Sequence, residues 1–150
     1  MAEPATLTGQ FLRATVMRWE DERLRLLAEL RRTGSVGAAQ VTTAAFEVAV
    51  RRLFRSGVEP IEVRSFVAEL RRAFGEEVPV KQTETLILAA LGEDVPIDDI
   101  EIPLRAKAKV ITIGGVKDVL MLDEAAVNAI LVEAEALAIE RGAQPTLADQ

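Results

Sequence analysis

Apolar residues along this chain recur mostly at helical spacing, and the pattern predicts a succession of amphipathic helices. The clearest runs from about Thr42 to Ser56, where Ala45, Phe46, Ala49, Val50, Leu53 and Phe54 form one continuous stripe. Thr42 or Thr43 suits its first turn, since a hydroxyl can accept from an unsatisfied backbone N–H, and Gly57 suits its end. A second helix opens at Pro60, whose fixed φ fits a first helical position, and stops at Gly75. It carries Ile61, Val63, Phe66, Val67, Leu70 and Phe74 on its apolar side. A shorter helix is predicted from Gln82 to Leu91 with Gly92 as its stop. Another runs from Asp123, as N-cap, to Arg141, with Val127, Ile130, Leu131, Ala134, Leu137 and Ala138 inward.

The first 33 residues predict one long helix, from about Thr8 to Arg32. Leu12, Val16, Trp19, Leu26 and Leu30 make a seam interrupted by Arg23, with Leu24 and Leu27 beside it. Such a length exceeds what a small core covers, so the expectation is self-association through this helix, with Trp19, Leu26 and Leu30 as anchors. The plainer alternative is a helix that bends or breaks against its own core. Residues 33–41 are small and uncharged and read as a flexible connection, and residues 143–150 read as a disordered tail.

The segment from Ile100 to Leu122 supports two readings. Residues 104–110 alternate with period two, and Val-Ile-Thr-Ile runs into Gly114-Gly115, a hairpin signal. The second arm does not alternate, however, whereas a helix places Leu104, Ala108, Ile111, Gly115, Val119 and Leu122 on one face, with Asp99 as cap. The helix is the favoured reading, although each interior glycine costs about 1 kcal/mol relative to alanine. The predicted fold class is therefore all-α: one compact bundle of five to six amphipathic helices, the long N-terminal one within residues 1–33 and the others in a helical domain over residues 34–142. A β-hairpin around residues 104–122 stays open as the alternative.

Composition then narrows the chemistry. The 150 residues contain no cysteine, histidine or tyrosine. Disulfides, Cys/His metal sites, cysteine nucleophiles and the Ser-His-Asp triad are excluded, and only three serines occur, at positions 35, 56 and 65. No cofactor motif is present: Gly114-Gly115-Val116-Lys117 lacks the spacing that wraps backbone N–H groups around a phosphate. The acidic stretch Glu93, Asp94, Asp98, Asp99 and Glu101 lacks the ligand order of an EF-hand loop. The expectation is a non-catalytic protein without metal or cofactor. No signal peptide or bilayer-crossing run is readable, so it is expected to be cytoplasmic, with no membrane partner. Fourteen arginines against four lysines and 23 alanines suggest a GC-rich, bacterial coding genome.

The net charge of −6 conceals an asymmetry. Residues 1–75 carry twelve arginines and nine acids, a net of +3, whereas residues 76–150 carry six bases and fifteen acids, a net of −9. A two-signed chain can dock its own halves, a partner or a second copy. Arginine pairs recur every 20 residues, as Arg31-Arg32, Arg51-Arg52 and Arg71-Arg72, each near a predicted helix end. The ordinary explanation is the negative end of the helix dipole. The functional alternative gathers Arg51, Arg52, Arg71 and Arg72, with Arg55 and Arg64, into a patch for an acidic partner or nucleic acid.

These observations point to a non-catalytic helical interaction or regulatory module that forms a homodimer or other homo-oligomer. One alternative is a DNA-binding regulator using helices 42–56 and 60–74, which loosely match a helix-turn-helix in spacing. Glu47, Glu59, Glu62 and Glu69 on those same helices, and the acidic chain as a whole, disfavour it. A third reading is a small acidic inhibitor, of antitoxin or immunity type, whose Asp98 and Asp99 cover a basic site on its target.

Overall fold

The computed structural model describes residues 2–55 and 58–148. Among the described residues it holds seven helices and no strands: α1 (Leu7–Met17), α2 (Glu20–Thr33), α3 (Ala38–Leu53), α4 (Pro60–Phe74), α5 (Val80–Ala90), α6 (Ile102–Val119) and α7 (Glu124–Glu140). The all-α class holds, while the expected five or six helices become seven.

The added helix comes from the predicted N-terminal one, which is two. α1 ends where Arg18 turns left-handed (φ 62°, ψ 36°), and the Trp19 N–H donates to the Ala14 carbonyl at 2.9 Å. The chain then reverses, and α2 lies back on α1. A straight helix would have carried Leu26 and Leu30 into water beyond the body. Folded back, they are buried with Leu7 and Ala14, flanked by Phe11 and Trp19. Glu20, Asp21 and Glu22 open α2 and Arg31 and Arg32 close it, so charge complements the dipole at both ends.

α3 is the centre of the body. Val41, Ala44, Ala45, Phe46, Val48, Ala49 and Val50 are buried, a wide arc on which α7, α6, α1 and α5 all pack. The small alanines allow that close approach on several sides. The helix starts four residues earlier than its pattern suggested, so Thr42 and Thr43 lie inside it and do not cap it. Gly37 sets the start with φ +75°, and a Cβ there would sit 2.7 Å from the Pro145 Cα. The expected stop at Gly57 lies outside the described residues.

α4 matches its predicted limits, with Glu62 Oε2 accepting from the Glu59 N–H at 2.8 Å. α6 decides the ambiguous segment. It runs unbroken through Gly114 and Gly115, so the hairpin is not formed, and Pro103 rather than a capping Asp99 marks its start. The glycines are a packing notch: a Cβ at Gly115 would collide with Leu70 Cδ2 and lie 3.3 Å from Phe66 Cζ, both on α4. Hence the propensity loss is offset by helix–helix contact.

α7 begins at the predicted Asp123, which accepts from the Ala126 N–H at 2.9 Å. Its Glu135 is buried and takes the Ala5 N–H at 3.0 Å, the Thr6 N–H at 2.7 Å and the Thr6 hydroxyl. Thr6 in turn caps α1 through the Gly9 N–H at 2.8 Å. The expected disordered tail is instead pinned here over its described part. The Leu7 N–H donates to the Thr146 carbonyl and the Ala148 N–H to the Ala5 carbonyl, at 3.0 and 2.9 Å. These bonds satisfy backbone groups that a frayed tail would leave to water.

Candidate functional site

The last turn of α3 brings Arg51 and Arg52 beside α7, and with Arg55 they line an open groove of about 560 Å³. Across it stand Glu133 and Glu140, two turns apart on α7, with Leu137 between them. Helical spacing produces this: positions 51, 52 and 55 share one face of the chain leaving α3, and 133, 137 and 140 share one face of α7. The Arg52 Nη2 reaches Glu133 Oε2 at only 3.7 Å, and the Arg51 Nη2 donates to the Ala90 carbonyl at 3.5 Å. Arg55 has no ion-pair partner among the described residues. On the same helix pair, Arg141 and Glu47 close a tighter bridge at 2.7 Å. The groove thus presents three guanidinium groups, loosely compensated by two carboxylates.

Arg71 and Arg72 are not part of this groove. They lie in the last turn of α4 and, with Arg64 and Glu84, line a separate groove of about 550 Å³ between α4 and α5. Arg72 is paired with Glu69 of its own helix. The arginine pairs therefore occupy distinct helix C-termini, as the dipole explanation requires, and the single patch is not assembled.

Asp98 and Asp99 sit exposed in the connection between α5 and α6. The Arg105 side chain holds this connection, with Nε donating to the Ile100 carbonyl at 2.7 Å and Nη2 to the Asp98 carbonyl at 3.2 Å. Among the described residues no ion pair joins the acidic stretch 93–101 to an arginine of the first half. The halves meet elsewhere, through Arg52 with Glu133 and Arg18 with Asp118. Trp19 is half-buried at the α1–α2 turn, with the Arg13 guanidinium 5.4 Å from its ring centre. Leu26 and Leu30 are buried within this same chain.

Two arrangements had no signal in the residue pattern. One is Glu135, an acid inside an apolar stripe, whose partners lie about 130 residues away. The other is a groove of about 460 Å³ between α3 and α6, where Arg105 and Lys109 stand one turn apart among alanines and threonines. Lys109 Nζ donates to Thr43 Oγ1 at 2.9 Å. Burial pulls its ammonium below the usual lysine range and the nearby Arg105 charge adds to this, against a smaller opposing effect of Glu47.

Among the described residues, no three His, Cys, Asp or Glu side chains gather as a metal ion would need. No helix among them is long and apolar enough to cross a membrane. The chain matches no protein-family model, no curated protein and no solved structure.

Proposed function

We propose that this chain is a non-catalytic helical interaction module that receives an acidic segment of a partner protein along the α3–α7 groove. The observation that carries the reading is the trio Arg51, Arg52 and Arg55, exposed or half-exposed on one open groove with only a loose 3.7 Å pairing to Glu133. Guanidinium groups bind carboxylates bidentately, and partly free ones give both attraction and register. Self-association and a cytoplasmic setting belong to the same reading.

A fluorescent fifteen-residue glutamate-rich peptide, titrated into the full chain, tests it by anisotropy. Binding should weaken as salt rises and fall at least tenfold in Arg51→Glu with Arg55→Glu, while Arg71→Glu with Arg72→Glu changes it little. Peptide binding unaffected by the first pair contradicts the reading. Tighter binding of a DNA duplex, lost in the same variant, would favour the nucleic-acid reading instead. The inhibitor reading has its own observation, the exposed Asp98 and Asp99 without ion pairs among the described residues. It predicts a basic protein partner that is lost in Asp98→Lys with Asp99→Lys.

A further inference from the structure

The groove between α3 and α6 differs from the arginine groove in what surrounds its cations. Arg105 and Lys109 stand one turn apart on α6, and no acidic residue lines the groove with them. At the α3–α7 groove Glu133 and Glu140 stand opposite the arginines, and at the α4–α5 groove Glu84 does the same. Neither Arg105 nor Lys109 has an ion-pair partner among the described residues. Glu47 of α3 also acts on Lys109, but its carboxylate is committed to Arg141 at 2.7 Å. Like charges four residues apart on a helix repel. The pair is therefore unfavourable unless an anion lies between its members.

Both cations are held in place by neutral acceptors. Nε and Nη2 of Arg105 donate to the Ile100 and Asp98 carbonyls at 2.7 and 3.2 Å. The Nη1–Nη2 end of the guanidinium keeps N–H groups to give. Lys109 Nζ gives one of its three protons to Thr43 Oγ1 at 2.9 Å. Two carbonyls and a hydroxyl thus fix the side chains without cancelling their charge. The other walls are mainly apolar, with Ala39 on α3 and Ile102 and Ala106 on α6. Ile102 is 74% exposed, a large apolar side chain left in water beside the cations. α3 adds no negative charge from its side, since its first turn holds no acid.

We propose that this groove binds a small organic acid, its carboxylate between Arg105 and Lys109 and a short apolar chain over Ala39, Ala106 and Ile102. The volume of about 460 Å³ lies within the range of small-molecule sites, roughly 300–1,000 Å³. One carboxylate can accept from the guanidinium end and the ammonium together, and it removes the repulsion between them. A free phosphate dianion fits less well, because apolar walls offer no donors to its remaining oxygens. A single nucleic-acid strand needs cations along a track and aromatic faces for its bases, and this groove has two cations and no aromatic residue. Burial and the Arg105 charge disfavour the Lys109 ammonium, and a bound carboxylate opposes both. The site lies at the opposite end of α3 from Arg51 and Arg52, so it is independent of peptide capture there.

The probe is octanoate, titrated into the full chain at neutral pH and followed by calorimetry and by amide chemical shifts. Saturable binding of one octanoate per chain is expected, with shifts concentrated at residues 38–43 and 102–109. It should be about tenfold or more tighter than octanamide, which keeps the chain and loses the charge. It should also be about fivefold or more tighter than acetate or inorganic phosphate, which keep the charge and lose the chain. Lys109→Gln, which can still bond Thr43, should weaken octanoate about tenfold, and Arg105→Gln about threefold. Arg51→Glu with Arg55→Glu should leave octanoate binding unchanged, which separates this site from the peptide groove. Absent or unsaturable binding overturns the proposal, as does octanamide binding as tightly as octanoate, or affinity that ignores Lys109→Gln. Phosphate binding as tightly as octanoate and lost in Lys109→Gln overturns the organic acid as the ligand. Should either variant lose its fold by circular dichroism, the wild-type shifts decide, and shifts centred elsewhere overturn the site.

Discussion

α2 and the body built around α3 are both made of packed helices, yet they are held by different means. α3 buries seven residues and is covered by four other helices, so its position is fixed by many shared contacts. α2 buries two leucines against one helix and spends its remaining length on exposed ion pairs, which contribute little to stability each. The difference teaches that helix formation and helix placement are separate problems. Neither helix has a side-chain N-cap; α2, charge-complemented at both ends and closed by a left-handed Gly34, is weakly placed, whereas α3 is firmly placed.

The largest expected effect belongs to the body. Leu131→Ala, at a site 1% exposed in the main core, should lower global stability by about 2–5 kcal/mol in denaturant titration. A loss below about 1 kcal/mol would mean that α7 is no better placed than α2. Glu135→Ala comes next, since it strips an acceptor from two backbone N–H groups and a hydroxyl at the start of α1. The expected loss is about 1–3 kcal/mol, with faster amide exchange at residues 5–9 and 146–148. Unchanged exchange there would remove the clamp from the account.

Leu26→Ala should separate the regions most visibly. Circular dichroism is expected to show loss of helix while the main thermal transition moves by a degree or two, because α2 is released without opening the core. A large cooperative shift would show that α2 and the body unfold as one. The smallest effect is that of acid. Hydrogen bonds from Arg23, Arg25 and Arg32 hold Glu20, Glu22 and Glu29 below the ordinary glutamate value of 4.5. Their contribution is complete above that value and is lost as pH falls through the lowered ones. Amides of α2 should therefore exchange faster relative to those of α3 as pH drops below about 4, after correction for intrinsic rates. Raising the salt concentration at neutral pH should act in the same direction.

Much of this architecture was legible in the chain. Periodicity located α4 and α7 almost to the residue, because Pro60, Gly75, Asp123 and Gly142 mark their ends chemically. It missed the α1–α2 break because the seam continues across Trp19 and the turn holds no glycine or proline. The signal that was present is electrostatic: Glu20, Asp21 and Glu22 open a new helix as surely as a cap does. Gly114 and Gly115 looked like a turn because their packing partners, Leu70, Phe66 and Phe74, are remote in sequence. The candidate site was half legible for the same reason. The local grouping of Arg51, Arg52 and Arg55 could be read directly, whereas Glu133 and Glu140 join them only through the packing of α3 on α7. Likewise Arg71 and Arg72, which share the spacing of Arg51 and Arg52, lie in a different groove because α4 packs beside α5.

Native-state hydrogen exchange, residue by residue at neutral pH, tests the central claim that α2 is placed independently of the body. Amides within Glu22–Arg32 of α2 are expected to open with a free energy at least about 2 kcal/mol below those of Ala44–Val50 in α3, as a sub-global unit. Equal opening free energies in the two segments, responding together to denaturant, would contradict it.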